Sequence, residues 1–129
     1  MKVLLVEPDQ LSASLYAEAL KTIEVDVISV ISTQAALDEL DKNIPDCIVL
    51  ELDIEDHNGF EFLYEFSSQA DWSELPIIVH SNILPDRLES MVVGWKELGV
   101  MDYLYKPQAT LKDLQTSVLS VVRERAQYI

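Results

Sequence analysis

Apolar and polar positions along this chain alternate between two rhythms. Compact aliphatic or β-branched runs fall at residues 2–6, 25–30, 46–50, 76–80 and 101–105. The runs at 2–6 and 46–50 lack in-and-out alternation, which suits strands buried on both faces. Between the runs the apolar spacing is helical. Asp9 is a good N-cap, and Leu11, Leu15, Ala19 and Leu20 recur at helical spacing to about Lys21. Thr33 caps a short helix carrying Ala36, Leu37 and Leu40, which must end before Pro45. Asn58-Gly59 opens a third helix in which Phe60, Leu63 and Tyr64 share a face, with Phe62 and Phe66 flanking. Pro85 suits the first turn of a fourth helix, striped by Leu88, Met91, Val92, Trp95 and Leu98 and ended by Gly99. Thr110 caps a fifth, with Leu111, Leu114, Val118, Val121 and Val122 facing inward. Strands and helices alternating in this way predict a doubly wound α/β sandwich around a parallel sheet.

Length and charge narrow the picture. The 129 residues suffice for one domain, spanning 1–129, and are too few for two. A 49% hydrophobic and 25% charged composition is that of a globular chain. The net charge of −14, from 23 acidic and 9 basic residues, argues against nucleic-acid binding, which draws its affinity from Lys and Arg on phosphates. No apolar run approaches the ~20 residues that cross a bilayer, so no membrane role is expected. Met1 leads straight into the first strand without a signal-peptide pattern, and a cytoplasmic location is expected. Cys47, the one cysteine, lies in a buried strand and reads as a small core residue.

The topology gathers the chemistry. In a doubly wound sheet the loops that follow the strands share one edge, where ligands bind. Glu7, Glu51, Ser81 and Lys106 are brought together there, within a wider acidic set of Asp9, Asp53, Glu55 and Asp56. A carboxylate at the position of Glu51 can serve as nucleophile, metal ligand or salt-bridge partner. His57 and His80 have no partner at metal-ligand spacing and read as surface or packing residues. Trp72 reads as a cover for the lower edge of the sheet, and Trp95 as packing under the fourth helix or, if exposed, as an anchor beside Val93.

Five motifs in order carry a resemblance. Leu5-Val6-Glu7-Pro8-Asp9, Pro45 to Leu52, Asn58 to Leu63, Pro76 to Ser81 and Asp102-Tyr103-Leu104-Tyr105-Lys106-Pro107 are similar to those of the receiver domain of two-component response regulators, across essentially the whole chain. The resemblance implies a flavodoxin-like (βα)5 fold with strand order 2-1-3-4-5. It places Lys106 as the partner of a phosphoryl group, Ser81 as its hydroxyl donor and Tyr103 as an aromatic switch. It implies a cis Lys106–Pro107 peptide. It also implies partners, a histidine kinase or a downstream effector, met through the face of the fourth helix, fifth strand and fifth helix.

Two departures alter that function. Glu51 stands at the phosphoacceptor aspartate, and Pro8 stands where the second strand-one acid would bind Mg²⁺ directly. The connection from Ser81 to Gly99 is also longer than is usual in the family. Glu7 matches the first acid, while Asp9 comes one residue late and can serve as the helix cap. Glu51 carries its carboxylate about 1.5 Å further out than aspartate would, and a misplacement of ~1 Å can cost about 100-fold in a positioned reaction. The expectation is therefore a receiver-like domain, not an enzyme, that signals by protein contact without aspartyl phosphorylation. Glu51 would either pair with Lys106 in partial imitation of a phosphoaspartate or stay solvated at the sheet edge as a relic with no switch role. No cofactor is expected beyond at most a weak Mg²⁺ site at Glu7, Glu51 and Asp53. One alternative is a phosphorylatable receiver that uses Asp53 or Glu51. The other is an α/β phosphatase, since Glu51-Leu52-Asp53-Ile54 is faintly similar to the motif of haloacid-dehalogenase-type phosphatases.

Overall fold

The structure, a computed structural model, describes residues 1–54, 59–69, 72, 74–84 and 96–127. Its elements are β1 (Lys2–Val6), α1 (Gln10–Lys21), β2 (Asp26–Val30), α2 (Thr33–Lys42), β3 (Cys47–Leu50), α3 (Gly59–Ser67), β4 (Ile77–Ser81), a 3₁₀ turn (Lys96–Leu98), β5 (Val100–Tyr105) and α4 (Leu111–Gln127). The strands form one parallel sheet in the order β2-β1-β3-β4-β5. This is the doubly wound architecture the pattern predicts. The predicted fourth helix, with Pro85, Leu88, Met91, Val92 and Trp95, lies outside the described residues, as does Val93. Only its end is seen: Leu98 is buried and Gly99 takes φ 83°, a left-handed value suited to glycine.

Alternate strand residues feed two apolar layers, as the pleat requires. Leu4, Val6, Ile48, Leu50, Ile77 and Val79 face α2 and α3, whose Ala36, Leu40, Phe62, Leu63 and Phe66 complete one layer. Val3, Leu5, Cys47, Val49 and Ile78 face α1 and α4, with Ala13, Leu20, Leu114, Val118 and Val121 in the other. Cys47 is fully buried, as its strand implies. Trp72 stacks on Phe66 with ring centroids 5.8 Å apart, and Phe66 in turn stacks on Phe62 at 5.7 Å.

Several helix faces differ from the sequence pattern. In α1 the predicted Ala19 and Leu20 are buried, but Leu11 and Leu15 are exposed, at 82% and 55%, and Ala13 is buried in their place. Alanine at position 13 lets the start of α1 lie close to the sheet, which favours it there over the bulkier Leu11 and Leu15. Ser32, not Thr33, caps α2, its hydroxyl accepting from Ala35 N–H at 3.0 Å, while Thr33 is fully buried. In α3 the buried trio is Phe62, Leu63 and Phe66, and Tyr64 is exposed. Leu111 is 38% exposed, because it sits in the first turn of α4 beyond the sheet. Thr110 does cap that helix: Asp113 N–H donates to its Oγ1 at 3.1 Å, and Thr110 N–H donates back to Asp113 Oδ2 at 2.8 Å.

Candidate functional site: a lysine between two buried glutamates

Strand register sets the site. Val6 pairs with Leu50, so the next residues, Glu7 and Glu51, emerge side by side at the carboxyl end of the sheet. Both backbones still belong to the ladder, Glu7 N–H donating to Val30 O and Glu51 N–H to Val6 O, each at 3.0 Å. Ser81 pairs with Tyr105, and Lys106 N–H donates to Ser81 O at 2.8 Å. From there the Lys106 side chain reaches across the end of β4.

Its ammonium lies between the two carboxylates. Lys106 Nζ donates to Glu7 Oε1 at 2.5 Å and to Glu51 Oε1 at 2.8 Å. The glutamate side chains are 3% exposed and the lysine 12%. The other oxygens meet backbone amides: Asp9 N–H donates to Glu7 Oε2 and Asp53 N–H to Glu51 Oε2, each at 3.1 Å. Asn82 N–H makes a longer contact with Glu51 Oε1, at 3.4 Å. Burial pulls the Lys106 ammonium down, but hydrogen bonds and charge from Glu51 and Glu7 outweigh it and hold Lys106 above its ordinary value.

An open cleft of about 390 Å³ lies over this triad, lined among others by Pro8, Asp9, Tyr16, Asp53 and Asn82. Asp9 is the cap of α1. Its carboxylate accepts from Ser12 N–H at 3.2 Å and from the Ser12 hydroxyl, bonds that hold it below the ordinary carboxylate value. Lys106 Nζ stands 5.6 Å over the Tyr16 ring, and that ring meets buried His80 edge-on at 4.6 Å. His80 is thus a packing residue, and burial first, then the Lys106 charge, pushes it down to about 4.

Ser81 and Tyr103 organise the loop after β4. Ser81 Oγ accepts from Ile83 N–H at 3.1 Å, and the Tyr103 hydroxyl donates to the Ile83 carbonyl. Burial and the Glu51 charge raise Tyr103 to about 12 against a Ser81 hydrogen bond that lowers it. Glu51 therefore touches this loop through Asn82 N–H, while the Ser81 hydroxyl serves the loop itself.

Most of the sequence-derived residues converge: Glu7, Glu51 and Lys106 in contact, with Asp9 and Asp53 at the rim. Asp53 contributes its backbone N–H to Glu51, and its side chain is exposed. Glu55, Asp56 and His57 lie outside the described residues. The Lys106–Pro107 peptide is trans, against expectation, since no cis bond occurs among the described residues. The chain instead leaves β5 through a turn in which Gln108 and Ala109 N–H both donate to Tyr105 O at 2.9 Å. Sequence reading missed Tyr16, although Asp9, Ser12 and Tyr16 are spaced to share one helix face. It also missed Asn82, which acts through a backbone amide that any residue would supply.

Mg²⁺ demands near-octahedral oxygens at about 2.0–2.1 Å. Here every carboxylate oxygen of Glu7 and Glu51 already accepts from a protein donor. Among the described residues no three His, Cys, Asp or Glu side chains converge on a common point. This arrangement does not fit the ion.

Fold and site together define a receiver. The chain belongs to the response regulator receiver domain family, whose model matches residues 3–119. It is 32% identical over 105 residues to the KDP operon transcriptional regulatory protein KdpE of Escherichia coli (strain K12), covering 81% of this chain and 44% of that protein. It is 33% identical over 75 residues to a protein-glutamate methylesterase/protein-glutamine glutaminase of Treponema denticola, covering 58% of this chain and 19% of that protein. The chain thus spans less than half the length of these curated relatives. Among solved structures it is similar to the phosphorylated cyanobacterial phytochrome response regulator RcpA, at 26% identity and a TM-score of 0.75, covering 93% of this chain and 89% of that one. Receiver domains are signalling modules of two-component systems that meet histidine kinases and effectors. Among the described residues no helix is long and apolar enough to cross a membrane.

Proposed function

We propose that this receiver signals by binding a protein partner from a conformation held by Glu51 in place of a phosphoryl group. The observation that supports the reading is the buried Glu51 carboxylate, bonded to Lys106 at 2.8 Å while also reaching the Asn82 amide of the β4 loop. That loop is the one the Tyr103 hydroxyl ties down at Ile83. The imitation is partial, because a phosphoryl group brings about −1.5 to −2 charge and three acceptor oxygens, against one charge and two oxygens here. The partner is a histidine kinase or an effector, and β5 with α4 forms part of the face offered to it.

Two measurements test this. Incubation with Mg²⁺ and acetyl phosphate, followed by intact mass, is expected to leave the chain without a phosphoryl adduct. Glu51→Gln is expected to weaken partner capture and change the Tyr103 ring signals in NMR. If neither Glu51→Gln nor Glu51→Asp alters partner affinity or Tyr103, the mimic reading is wrong. A second reading, phosphate transfer to Asp53, draws on the exposure of that side chain at the cleft rim. Peptide mapping of any adduct would reveal it.

A further inference from the structure

Parallel strands alone do not explain how two carboxylates come to be buried side by side. Glu7 and Glu51 directly follow adjacent strands with their side chains almost wholly out of solvent, an arrangement that demands a cation. The cation in place is Lys106, at 2.5 and 2.8 Å. Both remaining oxygens are turned to the backbone amides of Asp9 and Asp53. Pro8, at the cleft wall, offers no side-chain oxygen. A divalent ion could reach these carboxylates only by expelling an ammonium that is tethered to the chain and so always present at high local concentration.

We propose that Lys106 is the resident counter-ion of this pocket, and that its pairing and divalent-cation binding are mutually exclusive. The native pocket is closed to Mg²⁺ and Mn²⁺. Removing the ammonium turns Glu7 and Glu51 into a divalent site. The inference rests on the standing Glu51–Lys106 pair of the preceding section, but it concerns metal alone.

The test uses Mn²⁺ and Mg²⁺ without any phosphoryl donor, on the native chain and on Lys106→Ala. Tyr16 is the reporter, since its ring lies 5.6 Å from the ammonium and lines the cleft. In the native chain, Tyr16 ring signals should stay sharp as Mn²⁺ is added, and Mg²⁺ should leave the melting temperature unchanged. In Lys106→Ala, Mn²⁺ should broaden those signals saturably, and Mg²⁺ should recover part of the lost melting temperature. Saturable broadening of Tyr16 in the native chain overturns the proposal. So does a folded Lys106→Ala that gains no Mn²⁺ binding. Should Lys106→Ala fail to fold, Lys106→Gln takes its place, and the native titration decides by itself. With no phosphoryl donor present, a metal-binding result would sink the counter-ion inference without touching the acetyl phosphate and partner-binding results.

Discussion

The apolar layers and the carboxyl end of the sheet are both buried, yet they respond to damage in opposite ways. In the layers each side chain adds contacts, so every deletion subtracts and a second deletion subtracts more. At the sheet end three charged groups balance one another, and removing one leaves the others stranded. There a second or third deletion restores what the first destroyed. Burial alone therefore says little about what a residue contributes; the chemistry of its partners decides the sign.

Two substitutions of similar size expose the difference. Phe62→Ala removes a fully buried ring from the α3 layer, and should cost about 3–5 kcal/mol in denaturant unfolding. Lys106→Met should cost a similar ~3–5 kcal/mol, because it leaves Glu7 and Glu51 buried without their cation. The contrast lies in the next step. Adding Glu7→Gln and Glu51→Gln to Lys106→Met should recover most of the loss, whereas adding Phe66→Ala to Phe62→Ala should deepen it. If the triple variant is no more stable than Lys106→Met, the sheet end behaves like the layers and the comparison fails.

Gly59 joins the two regions. A Cβ on it would stand 2.5 Å from Leu52 Cα, and its N–H donates to Leu52 O at 3.0 Å. Leu52 follows Glu51 and belongs to the α3 layer. Gly59→Ala should cost about 1–3 kcal/mol by forcing backbone apart, and should also shift the Lys106 and Glu51 signals in NMR. A loss of stability with an unmoved triad would mean that layer and sheet end are mechanically separate.

The pH response sharpens the same contrast. His80 is buried and titrates near 4 instead of 6.5, chiefly through burial and then through the Lys106 charge. As pH falls below about 6.5 the unfolded chain takes up this proton first. The His80 contribution is complete above that pH and should be lost down to about pH 4, at no more than about 1.4 kcal/mol per pH unit. His80→Phe, which keeps a ring against Tyr16, should flatten that part of the acid profile; an unchanged profile would contradict it. Lys106 shifts the other way. Its raised value means that its stabilisation is present below 10.5 and is lost as pH rises through the folded-state value.

How much of this was legible in the sequence follows from what each feature depends on. The parallel sheet and the convergence of Glu7, Glu51 and Lys106 were legible, because aliphatic runs mark the strands and the doubly wound topology gathers the loops that follow them, while the strand order came from the family resemblance. The face of α1 was legible only in part. Its later part, Ala19 and Leu20, was read correctly, but at its start only closeness to the sheet selects Ala13 over Leu11 and Leu15. The amides of Asp9, Asp53 and Asn82 were equally hidden, since every non-proline residue carries that donor. Loop conformation, which sequence states weakly, decides which of them meets a carboxylate.

The smallest effect lies at the opposite end of the sheet. Glu24 takes φ 65° in the turn from α1 to β2, where Glu24 N–H donates to Lys21 O at 3.0 Å and Val25 N–H to Leu20 O at 3.1 Å. That left-handed conformation costs a residue with a Cβ roughly 1–2 kcal/mol. Glycine adopts it freely but loses more freedom on folding, about 0.5–1 kcal/mol in comparable settings. Glu24→Gly should therefore stabilise the chain by no more than ~1 kcal/mol, read as a small rise in denaturation midpoint. It should leave the Lys106 and Tyr16 signals where they are. Strain at this turn serves only to close it, whereas the charge burial at the carboxyl end fixes the geometry of the cleft. If relieving Glu24 also moved the Tyr16 ring, the two ends of the sheet would be coupled through α1, and the division between a tolerant scaffold and a sensitive edge would have to be redrawn.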